Sequence, residues 1–306
     1  MNEQKVNQST KRKRRRLKYI AVLPSIVTLM NGLCGFSAIV FASRGPDAVW
    51  RPNLFPRGNT AVSFFALAGY MIFLGMIADV LDGHVARISK STSGFGAQLD
   101  SLCDVISFGV APAFLMLQVM EVHFRHYQFD NSWLGMIFGR AVFLIAIIYA
   151  MCAVIRLARF NVENKEDDSS HTSFVGLPSP PAAGLIVSMV IFRQDFLPKI
   201  AAWSGEIYRV VESISIWGLP IVALIAGLLM VTRIPYPHVV NRLLRGKKSF
   251  FTFLLVLFVL LLMIWSIQLA MVLGFCIFML FGIIHWLVSL LFFRQKKEAR
   301  INPAGS

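Results

Sequence analysis

The chain has 306 residues, 56% of them hydrophobic and only 15% charged, with 26 Phe and a formal net charge of +14. A soluble domain carries nearer a quarter charged residues, and apolar runs of about 20 residues, enough to cross roughly 30 Å of hydrocarbon, recur along nearly the whole sequence. These features exclude a soluble globular class, and a positive charge gathered into separate clusters between apolar runs argues against nucleic acid as the partner.

A basic lead comes first, residues 1–18, with KRKRRRLK at 11–18. About eight spans are predicted after it, near 19–43, 62–87, 95–120, 132–160, 179–193, 212–232, 249–267 and 269–293. None alternates like a barrel strand, so the expected fold class is all-α, a polytopic transmembrane helix bundle. The first span is too long for a signal peptide and carries Asn31, Gly32 and Gly35, which predicts a retained helix. The fifth is short and opens PSPPAAG, which predicts a break or a start outside the bilayer. The other basic clusters lie at 233–248 and 294–300. With a cytoplasmic N-terminus, eight spans put every cluster on the cytoplasmic side, in keeping with the positive-inside rule. Cys34, Cys103, Cys152 and Cys276 fall in predicted spans without metal-type spacing and read as small buried apolar residues.

The chemistry concentrates in DVLDGHVARISKSTSGFGAQLDSLCD, residues 79–104. Asp79 and Asp82 are three apart and share a face at the end of the second span. Asp100 and Asp104 are four apart and share a face at the start of the third. The short polar link between them makes the two helices antiparallel neighbours, so the acidic faces meet. Four such carboxylates cannot all ionise unless cations neutralise them. Hard oxygen ligands without His or Cys favour Mg2+, Mn2+ or Ca2+ over zinc. Two divalent ions balance four negative charges, and paired metals suit displacement at phosphorus. Helix capping or pairing with Arg87 and Lys90 accounts for one such aspartate, but poorly for four on facing helices.

These residues carry a family resemblance. The pattern D-x-x-D-G-x-x-A-R, eight residues, then G-x-x-x-D-x-x-x-D is matched without a gap by Asp79, Asp82, Gly83, Ala86, Arg87, Gly96, Asp100 and Asp104. The chain thereby resembles the CDP-alcohol phosphatidyltransferases. The resemblance implies a six-helix core, a homodimer and two divalent cations held by the four aspartates, with Asp104 as general base. It also implies that CDP-diacylglycerol donates its phosphatidyl group to an alcohol and releases CMP, with Gly83, Arg87 and Ser93 along the cytidine and diphosphate. The residue types agree: Gly83 permits close backbone approach, and Arg87 can fork onto phosphate oxygens.

Three further stretches bear on the alcohol. LPSIVTLMNGLCGF in the first span resembles the opening of bacterial phosphatidylserine synthases, with Thr28, Asn31 and Gly35 in place and Ser25 where Asn is common. Thr28 and Asn31 are therefore assigned to the donor, although an interhelical hydrogen bond suits Asn31 equally. RLARFN at 156–161 with FVGLPSPPAAG at 174–184, and LMVTRIPYPH at 229–238, resemble the same subfamily. Arg156 and Arg159 share a helix face and suit the carboxylate of L-serine, the donor's phosphate or snorkelling to lipid.

The resemblance thus implies transfer to L-serine in a bacterial inner membrane, with the site facing the cytoplasm. Another alcohol (glycerol 3-phosphate, inositol phosphate or choline) remains open, as does a cation transporter, because intramembrane carboxylates also line ion paths. The expected organisation is a cytoplasmic lead (1–18), a membrane core (19–238) and an added two-helix hairpin with a basic tail (239–306).

Overall fold

A computed structural model of the chain describes residues 25–45, 49–50, 62–89, 94–126, 133–166, 174–201, 205–236, 259 and 261–301. The basic lead, Ser93 and most of the basic stretch 233–248 lie outside them.

The described residues are overwhelmingly helical. Helix α1 is Ser25–Ala42 and α2 is Phe64–Ser89. Helix α3, Gly94–Asp104, runs through a π turn at Val105–Val110 into α4, Ala111–His126. Helix α5 is Trp133–Glu166. Helix α6, Ser179–Ile191, passes through a second π turn, Phe192–Phe196, into α7, Leu197–Ala201. Helices α8, Gly205–Val231, and α9, Ile267–Ile301, complete the set. Both π turns stand just ahead of a proline, Pro112 and Pro198. Proline donates no N–H and crowds the carbonyl four residues back, so a widened turn there relieves the strain.

Six helices among the described residues are long and apolar enough to cross a membrane: Ser25–Ala42, Phe64–Val85, Gly94–Arg125, Trp133–Val162, Gly205–Val231 and Ile267–Ile284. The chain is a multi-pass, all-α membrane protein. The expected count of about eight is not reached among the described residues, for two identifiable reasons. The fifth expected span is α6, whose 13 residues cover only about 20 Å before Arg193 and Asp195 interrupt the apolar run. The seventh, 249–267, falls largely outside the described residues.

Short as it is, α6 is the centre of the bundle. Ala182 through Ser188 are all buried, as are Val190 and Ile191, and α2, α4, α8 and α9 pack around them. A helix apolar all round belongs in such a position. The same buried core includes Phe65 and Ile72 of α2 and Leu115 and Met116 of α4. Lipid tails are as apolar as these side chains, so close packing and interhelical hydrogen bonds hold the bundle together. Polar groups remote from the aspartates are paired accordingly: the Tyr70 hydroxyl donates to Asp195 at 2.5 Å, and Arg193 meets Glu212 at 3.6 Å.

Near the start of α6 the backbone is tied to the end of α8. Phe174–Val175 pairs antiparallel with Pro235–Tyr236, Gly176 N–H donates to Ile234 O at 2.8 Å, and Leu177 N–H to Leu229 O at 3.1 Å. Gly176 has φ 86, and a Cβ there would meet Met230 O at 2.6 Å. Only glycine fits that turn without strain. The tie brings Ser179 and the end of α8 to the same end of the bundle as the aspartates.

Candidate active site

Three helices converge on the carboxylates. The end of α2 supplies Asp79 and Asp82, and α3 supplies Asp100 and Asp104. Carboxylate oxygens of Asp79, Asp100 and Asp104 all lie within 4.8 Å of one another. Asp104 is 8% exposed and Asp82 6%, while Asp79 and Asp100 are half-buried. Asp82 stands beside the triad rather than in it, its carboxylate accepting a hydrogen bond from the Thr28 hydroxyl of α1.

Helix α1 forms the third wall. Asn31, fully buried, donates from Nδ2 to Asp104 Oδ1 at 2.9 Å. Its backbone carbonyl accepts from Ser107 Oγ at 2.8 Å. Such intimacy between helices requires Gly35, where a Cβ would come within 2.7 Å of Ser107 Cα and 2.9 Å of its nitrogen. Thr28, Asn31 and Gly35 occupy one face of α1 at helical spacing, and that face lies against the acidic helices.

Helix α5 brings in a cation. Arg156 donates from Nη1 to Ser179 Oγ at the start of α6, at 2.9 Å, and lies within electrostatic reach of Asp104. Its Nε is buried and has no hydrogen-bond partner among the described residues. Arg159, three residues on, points elsewhere, its Nη1 reaching Val231 O at the end of α8 at 3.5 Å. The two arginines share a helix face, and Arg156 lies within electrostatic reach of the acidic cluster through Asp104.

Gly83 is exposed on α2 with open space where a Cβ would stand, which leaves its backbone approachable. Arg87 is in the last turn of α2, with its side chain outside the described positions, and Ser93 lies outside the described residues altogether. Thr28 and Asn31, assigned from sequence to the donor, make their side-chain bonds to Asp82 and Asp104. Ser107 and Ser179 escaped the sequence reading. Ser179 sat in PSPPAAG, a stretch noted for a break in the fifth span and for its resemblance, and nothing local marks Ser107 as a partner of Asn31.

Buried carboxylates at this spacing repel one another and are costly without compensating charge. No ion pair to any of the four is present among the described residues. The donor set is all hard oxygen, and three ligand atoms within 4.8 Å suit a divalent cation. The residues fit the group.

Residues 21–217 match the model of a family described as CDP-alcohol phosphatidyltransferase. The chain belongs to this family. The match ends inside α8, so α9 lies beyond it. Among curated relatives, a Helicobacter pylori protein is 32% identical over 237 residues, covering 77% of this chain and 86% of its own length. One from Methanocaldococcus jannaschii is 33% identical over 173 residues, 56% of this chain and 65% of the relative. One from Saccharomyces cerevisiae is 34% identical over 168 residues, covering 53% and 51%. All three are named CDP-diacylglycerol–serine O-phosphatidyltransferase.

Proposed function

We propose that the protein is a CDP-diacylglycerol–serine O-phosphatidyltransferase, moving the phosphatidyl group of CDP-diacylglycerol to L-serine and releasing CMP. The observation that carries the reading is the meeting of the acidic triad, Asn31 and Arg156 in one family-typical site. The printed names of the relatives support serine as the acceptor.

In this reaction the serine hydroxyl oxygen attacks the phosphorus that bears diacylglycerol. The bond from that phosphorus to the bridging oxygen breaks, and CMP leaves with the electron pair. A serine hydroxyl is too weakly acidic to attack unaided at neutral pH, so Asp104 takes its proton as general base. Asn31 Nδ2, 2.9 Å from one Asp104 oxygen, holds the carboxylate in orientation. Gly83 leaves room for the nucleotide against the backbone, and Arg87 and Ser93 extend the donor site. Arg156 supplies a planar fork for the carboxylate of serine or a phosphate of the donor. Two divalent cations, Mg2+ or Mn2+, held by Asp79, Asp82, Asp100 and Asp104, would neutralise charge on the diphosphate and on the CMP that departs.

In this proposal the site faces the cytoplasm in a bacterial inner membrane, an orientation that the charge clusters support. There the acyl chains stay in lipid while serine and CMP exchange with water. The proposal includes a homodimer, by family resemblance, and a core at 19–238 followed by an added hairpin, supported by the end of the family match at residue 217. CMP release by purified protein given CDP-diacylglycerol, serine and Mn2+ tests the class. Serine-dependent CMP, lost in Asp104→Asn, is expected; cation flux through vesicles without CMP release would make the chain a transporter.

A further inference from the structure

The residue that follows Asp104 opens the π turn Val105–Val110, and the sequence explains why a widened turn occurs here. In a regular helix the carbonyl of Phe108 would accept from residue 112, but that residue is proline and has no N–H to give. At the end of the turn, the Ala111 N–H reaches back five residues to Ile106 O. Phe108 O is thus left without its ordinary partner, in a fully buried position. Tyr149 of α5, itself fully buried, donates its hydroxyl to that carbonyl at 3.0 Å.

Two consequences follow from where Tyr149 and Ser107 sit. Tyr149 and Arg156 are seven residues apart on α5, two helical turns on one face. The Tyr149–Phe108 bond therefore fastens the helix that carries Arg156 to the turn that follows Asp104. Ser107, inside the same turn, closes a circuit on the other side: its hydroxyl donates to Asn31 O at 2.8 Å, and Asn31 Nδ2 donates to Asp104 at 2.9 Å. The acid is bracketed by α1 and by α5 through buried hydrogen bonds, with Asn31 Oδ1 and Arg156 Nε left without partners among the described residues. Buried hydrogen bonds on both sides of the acid narrow its geometry, because each is strong in a low-dielectric interior.

We propose that Tyr149 and Ser107 are positioning residues for phosphatidyl transfer, pinning the π turn so that the spacing between Asp104 and Arg156 is held. Neither touches a reacting atom. Their effect is on how often the base and the guanidinium stand at productive separation, so it belongs to turnover and not to binding of either substrate. The inference rests on the proposed role of Asp104 but not on the identity of the acceptor.

The test compares steady-state kinetics of the purified full chain as Tyr149→Phe, Ser107→Ala and the double variant, assayed well below their melting temperatures. Ser188→Ala is the control, since Ser188 is likewise buried and donates its hydroxyl to a backbone carbonyl, Leu185 O at 2.9 Å, away from the site. The expected result is a kcat lowered about tenfold in each single variant, with both KM values within about twofold of wild type, and kcat unchanged in the control. Because both pins hold one turn, the double variant should lose less than the product of the single losses. Wild-type kcat in Tyr149→Phe and Ser107→Ala would overturn the proposal, as would a fall in kcat matched by Ser188→Ala, or a loss confined to KM. The kinetics are run with whichever alcohol the wild-type protein accepts, so a wrong acceptor is seen in the wild type alone and leaves this comparison intact.

Discussion

Asn31 Nδ2 lies 2.9 Å from Asp104 Oδ1, which joins the first described helix directly to the carboxylate assigned as general base. Thr28, one turn earlier on α1, does the same for Asp82. A hydrogen bond to a charged group is worth about 1.5–3 kcal/mol, or roughly 10- to 100-fold in rate if it is needed at the transition state. Asn31→Leu, close in volume but without a donor, is expected to lose turnover in that range. Thr28→Val is expected to raise the Mn2+ concentration needed for half-maximal activity. Both are read from initial rates across a metal titration; wild-type rates in Asn31→Leu would separate α1 from the chemistry.

Asp79, Asp82, Asp100 and Asp104 should each fail as asparagine, which keeps the size and removes the charge. Turnover is expected to fall by a factor on the order of 100 or more in every variant, with normal membrane insertion. Assays of CMP release on the purified variants check this. Near-normal turnover in two of the four would contradict a shared cation site.

Two glycines should behave in opposite ways. Gly35→Ala presses a methyl into the Ser107 backbone, with Cα only 2.7 Å away, and overpacking of this kind costs about 1–3 kcal/mol. A lowered melting temperature together with lost activity is expected. Gly83→Ala meets open space and gains roughly 1 kcal/mol of helix propensity, so its melting temperature should hold or rise. If the nucleotide lies along that backbone, KM for CDP-diacylglycerol rises severalfold without loss of fold. An unchanged donor KM removes Gly83 from the donor site.

The arginines should also separate. Arg156 bonds Ser179 and lies within electrostatic reach of Asp104, whereas Arg159 reaches Val231 O. Lysine cannot reproduce a planar fork. Arg156→Lys is expected to raise the serine KM at least tenfold, and Arg159→Lys to stay within about threefold. A rise confined to the donor KM in Arg156→Lys assigns that residue to the diphosphate.

Much of this arrangement can be read from the sequence, for local reasons. Spacings of three and four put Asp79 with Asp82 and Asp100 with Asp104 whatever the rest of the fold does, and a short link makes the two pairs meet. Long apolar runs mark the helices, and the second of them, expected at 62–87, runs Phe64–Ser89. What escaped depends on contacts between distant residues. Nothing in the spacing says that Thr28 would bond Asp82, 54 residues on, or that Asn31 would bond Asp104, 73 residues on. Asp82 and Asp79 look equivalent by pattern, yet only Asp79 joins the close triad. The separation of Arg156 from Arg159 was equally hidden, because it depends on the starts and ends of α6 and α8. The π turn is a different case. Pro112, four residues after Phe108, foretells an orphan carbonyl there, but not that Tyr149 would fill it.

Transfer of a phosphatidyl group to serine is read most directly from the mass of the lipid product. Purified protein is given CDP-diacylglycerol, Mn2+ and an equimolar mixture of serine, glycerol 3-phosphate, inositol phosphate and choline. Phosphatidylserine should be the dominant new lipid, formed one-for-one with CMP and absent with Asp104→Asn. A product carrying one of the other alcohols, with serine ignored, would exclude serine as the acceptor.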